Sequence, residues 1–106
     1  MADARFPLVF DDVMIKQLKK AAKNNQVKQI LTKMLDKIEE TGPTASELLD
    51  SKLFIYEIKS KHPPIRLYFK HNISSNEIYV FEYEMKTSEK ERQKIIDKIR
   101  KKASES

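Results

Sequence analysis

The side chains best suited to chemistry lie on three short β-type runs between Leu53 and Met85. They read Leu53-Phe-Ile-Tyr-Glu-Ile-Lys59, Ile65-Arg-Leu-Tyr-Phe-Lys-His71 and Ile78-Tyr-Val-Phe-Glu-Tyr-Glu-Met85. Side chains alternate between the two faces of a strand. In the middle run Arg66, Tyr68 and Lys70 therefore oppose Ile65, Leu67 and Phe69. The first run sets Glu57 and Lys59, with Ile55, against Phe54, Tyr56 and Ile58. The same alternation in the last run groups Tyr79, Phe81, Tyr83 and Met85 against Ile78, Val80, Glu82 and Glu84. Three adjacent strands then combine an apolar face with one carrying Glu57, Lys59, Arg66, Tyr68, Lys70, Glu82 and Glu84. Guanidinium, ammonium, carboxylate and phenol groups on one side of a sheet suit phosphate chemistry. A guanidinium can hold a phosphate in two-pronged fashion and keeps its proton at neutral pH. The plainer reading is a solvated ion-pair face, with Arg66 matched across the sheet to Glu57 or Glu82.

Composition narrows the possible chemistry. The chain has 106 residues, 35% of them charged, and a net charge of +5. Residues 1–51 hold eight Lys/Arg and eight Asp/Glu, so the excess of 21 over 16 sits entirely in residues 52–106, with thirteen basic and eight acidic. A basic half suggests a polyanionic partner, nucleic acid first and an acidic protein second. With no cysteine there is no disulfide, thiolate metal site or Cys nucleophile. A single glycine, Gly42, excludes glycine-rich phosphate loops. His62 and His71 lack metal-ligand spacing, so neither a metal site nor a small-molecule cofactor is expected. No apolar run is long enough for a membrane span, and no secretory segment precedes the first strand, so a cytoplasmic location and no membrane partner are expected.

The elements that must position the polar face follow from periodicity. Arg5-Phe-Pro-Leu-Val-Phe10 is a short apolar run whose Pro7 suits an edge strand. Asp11 and Asp12 can cap a helix carrying Met14, Leu18, Ala21 and Ala22, which Asn24-Asn25 breaks. A second helix is predicted from about Gln26 to Glu40, with Val27, Ile30, Leu31, Met34, Leu35 and Ile38 at 3/4 spacing. Gly42 is placed to end it and Pro43 prevents continuation. Thr44-Ala-Ser-Glu47 has the form of a capping box and predicts a single turn before the first long strand. Ser60–Pro64 and Asn72–Asn76 are short polar links between antiparallel strands. Ser88-Glu-Lys-Glu91 opens a last helix with Ile95, Ile96 and Ile99 on one stripe and Lys90, Lys94, Lys98, Arg100, Lys101 and Lys102 on its basic side. Residues 103–106 should fray. The expected order is β-α-α-β-β-β-α in a single domain over 1–106: an α+β two-layer sandwich, mainly antiparallel, with a helical hairpin on one face.

That order and these strands resemble the RelE/HigB/ParE superfamily of small bacterial and archaeal toxins. The similarity spans nearly the whole chain. Its sharpest piece is Tyr56-Glu-Ile-Lys59, a short loop, then Ile65-Arg-Leu-Tyr-Phe69, which looks like the family's aromatic-Glu-Leu-Arg strand followed by its Tyr-Arg-x-x-Tyr-Phe strand. Arg66 falls on the central-strand arginine that contacts the scissile phosphate in ribonuclease members, and Lys59 on a basic position that holds RNA. Met85-Lys-Thr87 looks like part of the Phe-x-Lys-Lys-Thr stretch of the HigB-like branch, with Lys86 on one of its basic positions.

The resemblance implies the toxin of a type II toxin–antitoxin pair, with a cognate antitoxin, the ribosome and mRNA as partners. Its expected activity is metal-independent, ribosome-dependent endoribonuclease action that inhibits translation. Members that cut mRNA direct a ribose 2′-hydroxyl at the neighbouring phosphate, which needs a base, a cation and an acid. Here Arg66 would hold the phosphate, with Lys59, Lys70 and Lys86 around it. Glu57 or Glu82 would serve as base, and Tyr68 or Lys86 as acid. Lys90 and Lys94 on the last helix would add RNA contacts. No histidine, and no arginine before Arg92, follows the last strand where many ribonuclease members carry their acid. The alternative on the same scaffold is a non-catalytic protein that inhibits a topoisomerase, as the ParE branch does, or only binds an antitoxin-like partner. Double-stranded RNA binding fits the element order less well, because Lys101-Lys-Ala103 ends the last helix instead of starting it.

Overall fold

The computed structural model describes residues 6–85 and 88–105. β1 (Leu8–Phe10) leads into α1 (Asp12–Ala21) and α2 (Asn25–Thr41). A 3-10 turn (Gly42–Ala45) then precedes β2 (Glu47–Asp50), β3 (Ile55–Lys61), β4 (Pro64–Asn72), β5 (Glu77–Met85) and α3 (Glu89–Glu105). The five strands form one sheet in the order β1-β5-β4-β3-β2, antiparallel except for the β1–β5 pair. The α+β architecture and the order read from the sequence stand, with β2 as an additional edge strand.

Local chemistry sets the helix ends. Asp11 caps α1 by accepting from the Val13 amide at 3.0 Å, and Asn24 caps α2 by accepting from Val27 at 3.2 Å. Gly42 ends α2 at φ +64°, and a Cβ there would meet the Phe6 ring at 2.5 Å. α1 and α2 lie against one face, burying Met14, Leu31 and Ile38 on Ile58, Ile65, Leu67, Phe69, Ile78 and Val80. Where β1 ends, the Gln17 side-chain amide takes over its pairing with β5. It donates to the Tyr83 carbonyl and accepts from the Tyr83 amide, both at 2.9 Å.

Two features reshape the polar face. A bulge between Tyr68 and Phe69 pairs Glu82 with Tyr68 and Val80 with Phe69, so Phe81 is an extra residue in β5. One inserted residue flips the alternation beyond it. The expected grouping of Tyr79, Phe81, Tyr83 and Met85 is therefore corrected. Ile78, Val80 and Tyr83 pack under α1 and α2, while Tyr79 and Phe81 share the second face with Glu82 and Glu84. Met85, expected to pack, is 41% exposed. The second feature is α3, which covers that second face with Ile96, Ile99 and Ala103 on Ile55, Tyr68 and Phe81. The helix continues through Glu105 with Ala103 buried, past the point where fraying was expected.

Candidate active site

Strand register assembles the polar face in two rows. Lys59, Arg66 and Glu84 lie side by side across β3, β4 and β5, and Glu57, Tyr68 and Glu82 form the next row. Three of the four expected catalytic residues, Arg66, Glu57 and Tyr68, thus come together. The fourth, Lys86, lies outside the described residues, as does Thr87 of the HigB-like stretch.

Their partners are carboxylates and cations in near balance. Glu57 is buried and accepts from Arg92 Nε and Nη2 at 3.1–3.2 Å. Arg66 Nε lies 3.8 Å from Glu57 Oε2, and its Nη1 lies 3.6 Å from Glu84 Oε1. These are ion-pair distances, too long for hydrogen bonds. Tyr68 is fully buried and donates its hydroxyl to Glu84 Oε1 at 2.5 Å. Burial, reinforced by that carboxylate, pushes the Tyr68 phenol well above its ordinary pKa. It carries a proton at neutral pH and holds it tightly. Glu82 is buried opposite Lys98, whose Nζ is 2.8 Å from Oε1 in an ion pair without hydrogen-bond geometry.

Arg92 is the member of this network that sequence reasoning missed. It lies four residues before Ile96 and seven before Ile99, on the buried stripe of α3. A cation at that spacing on an apolar stripe was the available signal. Burial opposes its charge, but the Glu57 carboxylate more than offsets this and raises its pKa. The basic side read for the last helix is split in the structure. Lys98, Arg100 and Lys102 turn toward Glu82, Asp50 and Asp11, at 2.8, 3.0 and 3.0 Å. The expected RNA contacts Lys90 and Lys94 are exposed on the outer side of α3, away from the Arg66 network, with Lys94 paired to Glu91 at 3.5 Å. Lys70 lies toward the other end of the face, in a hollow with Asp11, Tyr79 and Lys102.

The sheet face is therefore covered by α3, and Arg66 faces two carboxylates in place of an open cationic hollow. Its side chain is still 25% exposed. It opens sideways at the end of the β3–β4 hairpin, into a hollow lined by Lys59, Ser60, Lys61, Pro64, Ile65 and Arg66, with no acidic side chain in the lining. Arg66 Nη1 is buried and has no hydrogen-bond partner among the described residues. A buried donor without an acceptor is uncommon in a folded protein. The arrangement can offer a guanidinium and two ammonium groups to an anionic oxygen entering from the hairpin end. Among the described residues no three His, Asp or Glu side chains gather as metal ligands.

An open mixed sheet with a helical hairpin on one face and a C-terminal helix on the other defines the RelE-like toxin fold. The similarity extends to a double-arginine mutant of the Escherichia coli toxin RelE in the free state, at a TM-score of 0.69 and 20% identity over 93% of this chain and 99% of that one. The E. coli RelBE toxin–antitoxin complex matches at a TM-score of 0.66 and 21% identity, over 78% and 99% of the two chains. The YoeB–YefM complex from Staphylococcus aureus matches at 0.61 and 21%, over 79% and 100%. No protein-family model matches the chain, and no curated protein matches its sequence. The chain thus has the RelE-like fold, which these toxins and toxin–antitoxin complexes share.

Proposed function

We propose that this protein is the toxin of a type II toxin–antitoxin pair, acting in the cytoplasm as a metal-independent, ribosome-dependent mRNA endoribonuclease held in check by a cognate antitoxin. One observation carries the reading: Arg66, a quarter exposed and held only at ion-pair distance by Glu57 and Glu84, borders a hollow rimmed by Lys59 and Lys61. A scissile phosphate entering there would complete the guanidinium and replace its long contacts to Glu57 and Glu84. Glu57, fully buried and outside the lining of that hollow, would orient the two arginines and would not itself meet the 2′-hydroxyl. Tyr68, buried and already donating to Glu84, would brace Glu84 beside Arg66 and would not contact the substrate.

The test is induced expression in bacteria of the wild type and of Arg66→Ala, with growth and transcript ends followed together. Growth arrest with cleavage inside translated messages, both lost in the variant, is the expected result. A specific observation favours a second reading. Glu57, Glu82 and Glu84 balance Arg66, Arg92 and Lys98, so the centre of the sheet face has no excess positive charge. That balance suits a non-catalytic protein which inhibits a topoisomerase or only binds an antitoxin-like partner. Growth arrest with intact transcripts and blocked DNA supercoiling would select it. No arrest at all would end the toxin reading.

A further inference from the structure

We propose that the flank between α2 and the β3–β4 hairpin is a track for the phosphodiester backbone of single-stranded RNA, running from Lys33 and Lys37 past Lys59 and His62 to Lys61 and Arg66. The inference rests on the toxin reading only at its Arg66 end. Two adjoining hollows define the track and share Lys59 and Ser60 as a common wall. The first has Ile30, Met34 and Ile58 as apolar lining and Lys33, Lys37, Lys59 and His62 as polar lining, without an acidic side chain. The second is the Arg66 hollow.

The lysines of this flank differ from those of α3. Lys98 and Lys102 are spent on Glu82 and Asp11. Lys33 and Lys37 are exposed and, with Lys59 and Lys61, form no ion pair among the described residues. Like charges four residues apart on a helix repel. Lys33 and Lys37 keep that repulsion, although residues 1–51 contain as many acids as bases. Folding separates the charges, so a half that is neutral in sum presents a basic flank. A flexible chain with a charge on every unit suits cations spread along two linked hollows, and the apolar floors can take ribose and base. An acidic protein segment would seek a strand edge, and β2 covers that of β3 only over Ile55–Glu57, so a glutamate competitor separates that occupant from RNA.

The experiment is fluorescence anisotropy with a labelled ten-nucleotide RNA carrying 2′-O-methyl groups throughout, which the proposed 2′-hydroxyl attack cannot cleave. Wild type is compared with K33Q/K37Q and with K16Q/K19Q, an equal charge loss on the exposed side of α1. Binding should weaken at least tenfold in K33Q/K37Q and at most twofold in K16Q/K19Q. The salt slope of log K should fall by about 1.4 in the first variant, from two lost phosphate contacts at roughly 0.7 each. Thermal unfolding should match wild type in both. Equal weakening in the two variants, no binding by wild type, or equal competition by a glutamate decamer would overturn the proposal, the last in favour of an acidic protein. The two readings fail separately. RNA held through Lys33 and Lys37 with no transcript cut leaves the track and removes the nuclease. Transcripts cut with K33Q/K37Q binding as wild type removes the track alone.

Discussion

Arg92 and Glu57, 35 positions apart, form a forked pair in which the carboxylate is fully buried and both guanidinium prongs lie within 3.2 Å. This pair joins α3 to the middle of the sheet, beside the one arginine the strands themselves supply. Its weight comes mainly from what is left when it breaks. A buried carboxylate deprived of its partner is far more costly than the intact pair is favourable.

Arg92→Ala should therefore destabilise the protein by about 3 kcal/mol, lowering the Tm by roughly 15 °C in a domain of this size. Adding Glu57→Gln should recover part of that loss, because a neutral amide replaces the stranded charge. Urea denaturation of the two single variants and the double variant gives the coupling directly. A loss below about 1 kcal/mol in Arg92→Ala would place the pair among ordinary surface contacts.

Asp11 provides a pH-dependent test. Burial alone would raise its pKa, but hydrogen bonds from Tyr79, the Val13 amide and Lys102 together hold it below the ordinary 3.8. A depressed carboxylate adds stability that is complete above 3.8 and is lost as pH falls below it. Asp11→Ala should cost about 1–2 kcal/mol at pH 7 from the missing cap, and its deficit should shrink as the pH drops below 3.8. The Tyr79 end of the same contact works in the opposite direction. Burial and Asp11 push the Tyr79 phenol up to about 12, so its contribution is complete below pH 10 and fades between 10 and 12. Stability curves of wild type and Asp11→Ala across both limbs check both signs.

Much of this could be read from the chain because local rules were strong. The 3/4 spacing from Val27 to Ile38, the Asp11 cap and the Asn24-Asn25 break gave both hairpin helices nearly to the residue. Alternation in Ile65-Arg-Leu-Tyr-Phe69 placed Arg66 and Tyr68 on one face and Leu67 on the other, as found. The phase shift at Phe81 left no mark, since Tyr79-Val-Phe81 is aromatic or apolar throughout and alternation with acidic residues begins only beyond it, and neither Gly nor Pro signals the bulge. β2 was hidden because Glu47-Leu-Leu-Asp50 has no alternation and follows a capping-box pattern. It is an edge strand held by pairing to β3. The apolar stripe of α3 was visible, but its destination was not, because two faces of the sheet could receive it. Which face it covers depends on contacts such as Arg92 with Glu57, to which no local rule applies.

Gly42 shows a position where one residue type is required. At φ +64° with the Phe6 ring 2.5 Å from any added Cβ, alanine would be strained twice over. Gly42→Ala should cost roughly 1–3 kcal/mol and loosen the contact of Phe6 with α2, whose amide donates to the Glu39 carbonyl at 3.1 Å. Hydrogen exchange at the Phe6 amide should quicken more than exchange at the Tyr83 amide, which Gln17 holds independently. Equal exchange at both would mean the strain is absorbed elsewhere.

Arg66 separates a structural cross-strand charge from a phosphate clamp, because the two roles predict different ratios of stability to activity. Its contacts to Glu57 and Glu84 are 3.8 and 3.6 Å and its side chain is 25% exposed. Without it Glu57 keeps Arg92 and Glu84 keeps Tyr68. Arg66→Ala should therefore cost no more than about 1 kcal/mol of stability, the range of partly exposed pairs. If the guanidinium stabilises charge on a reacting phosphate, the same variant should lose at least about 100-fold in message cleavage during translation. Arg66→Lys, which keeps the charge and loses the fork, should fall between the two. Urea midpoints and cleavage rates on the same preparations decide the matter. A variant as destabilised as Arg92→Ala, with activity reduced only in proportion to the folded fraction, would assign Arg66 to the scaffold and remove it from the chemistry.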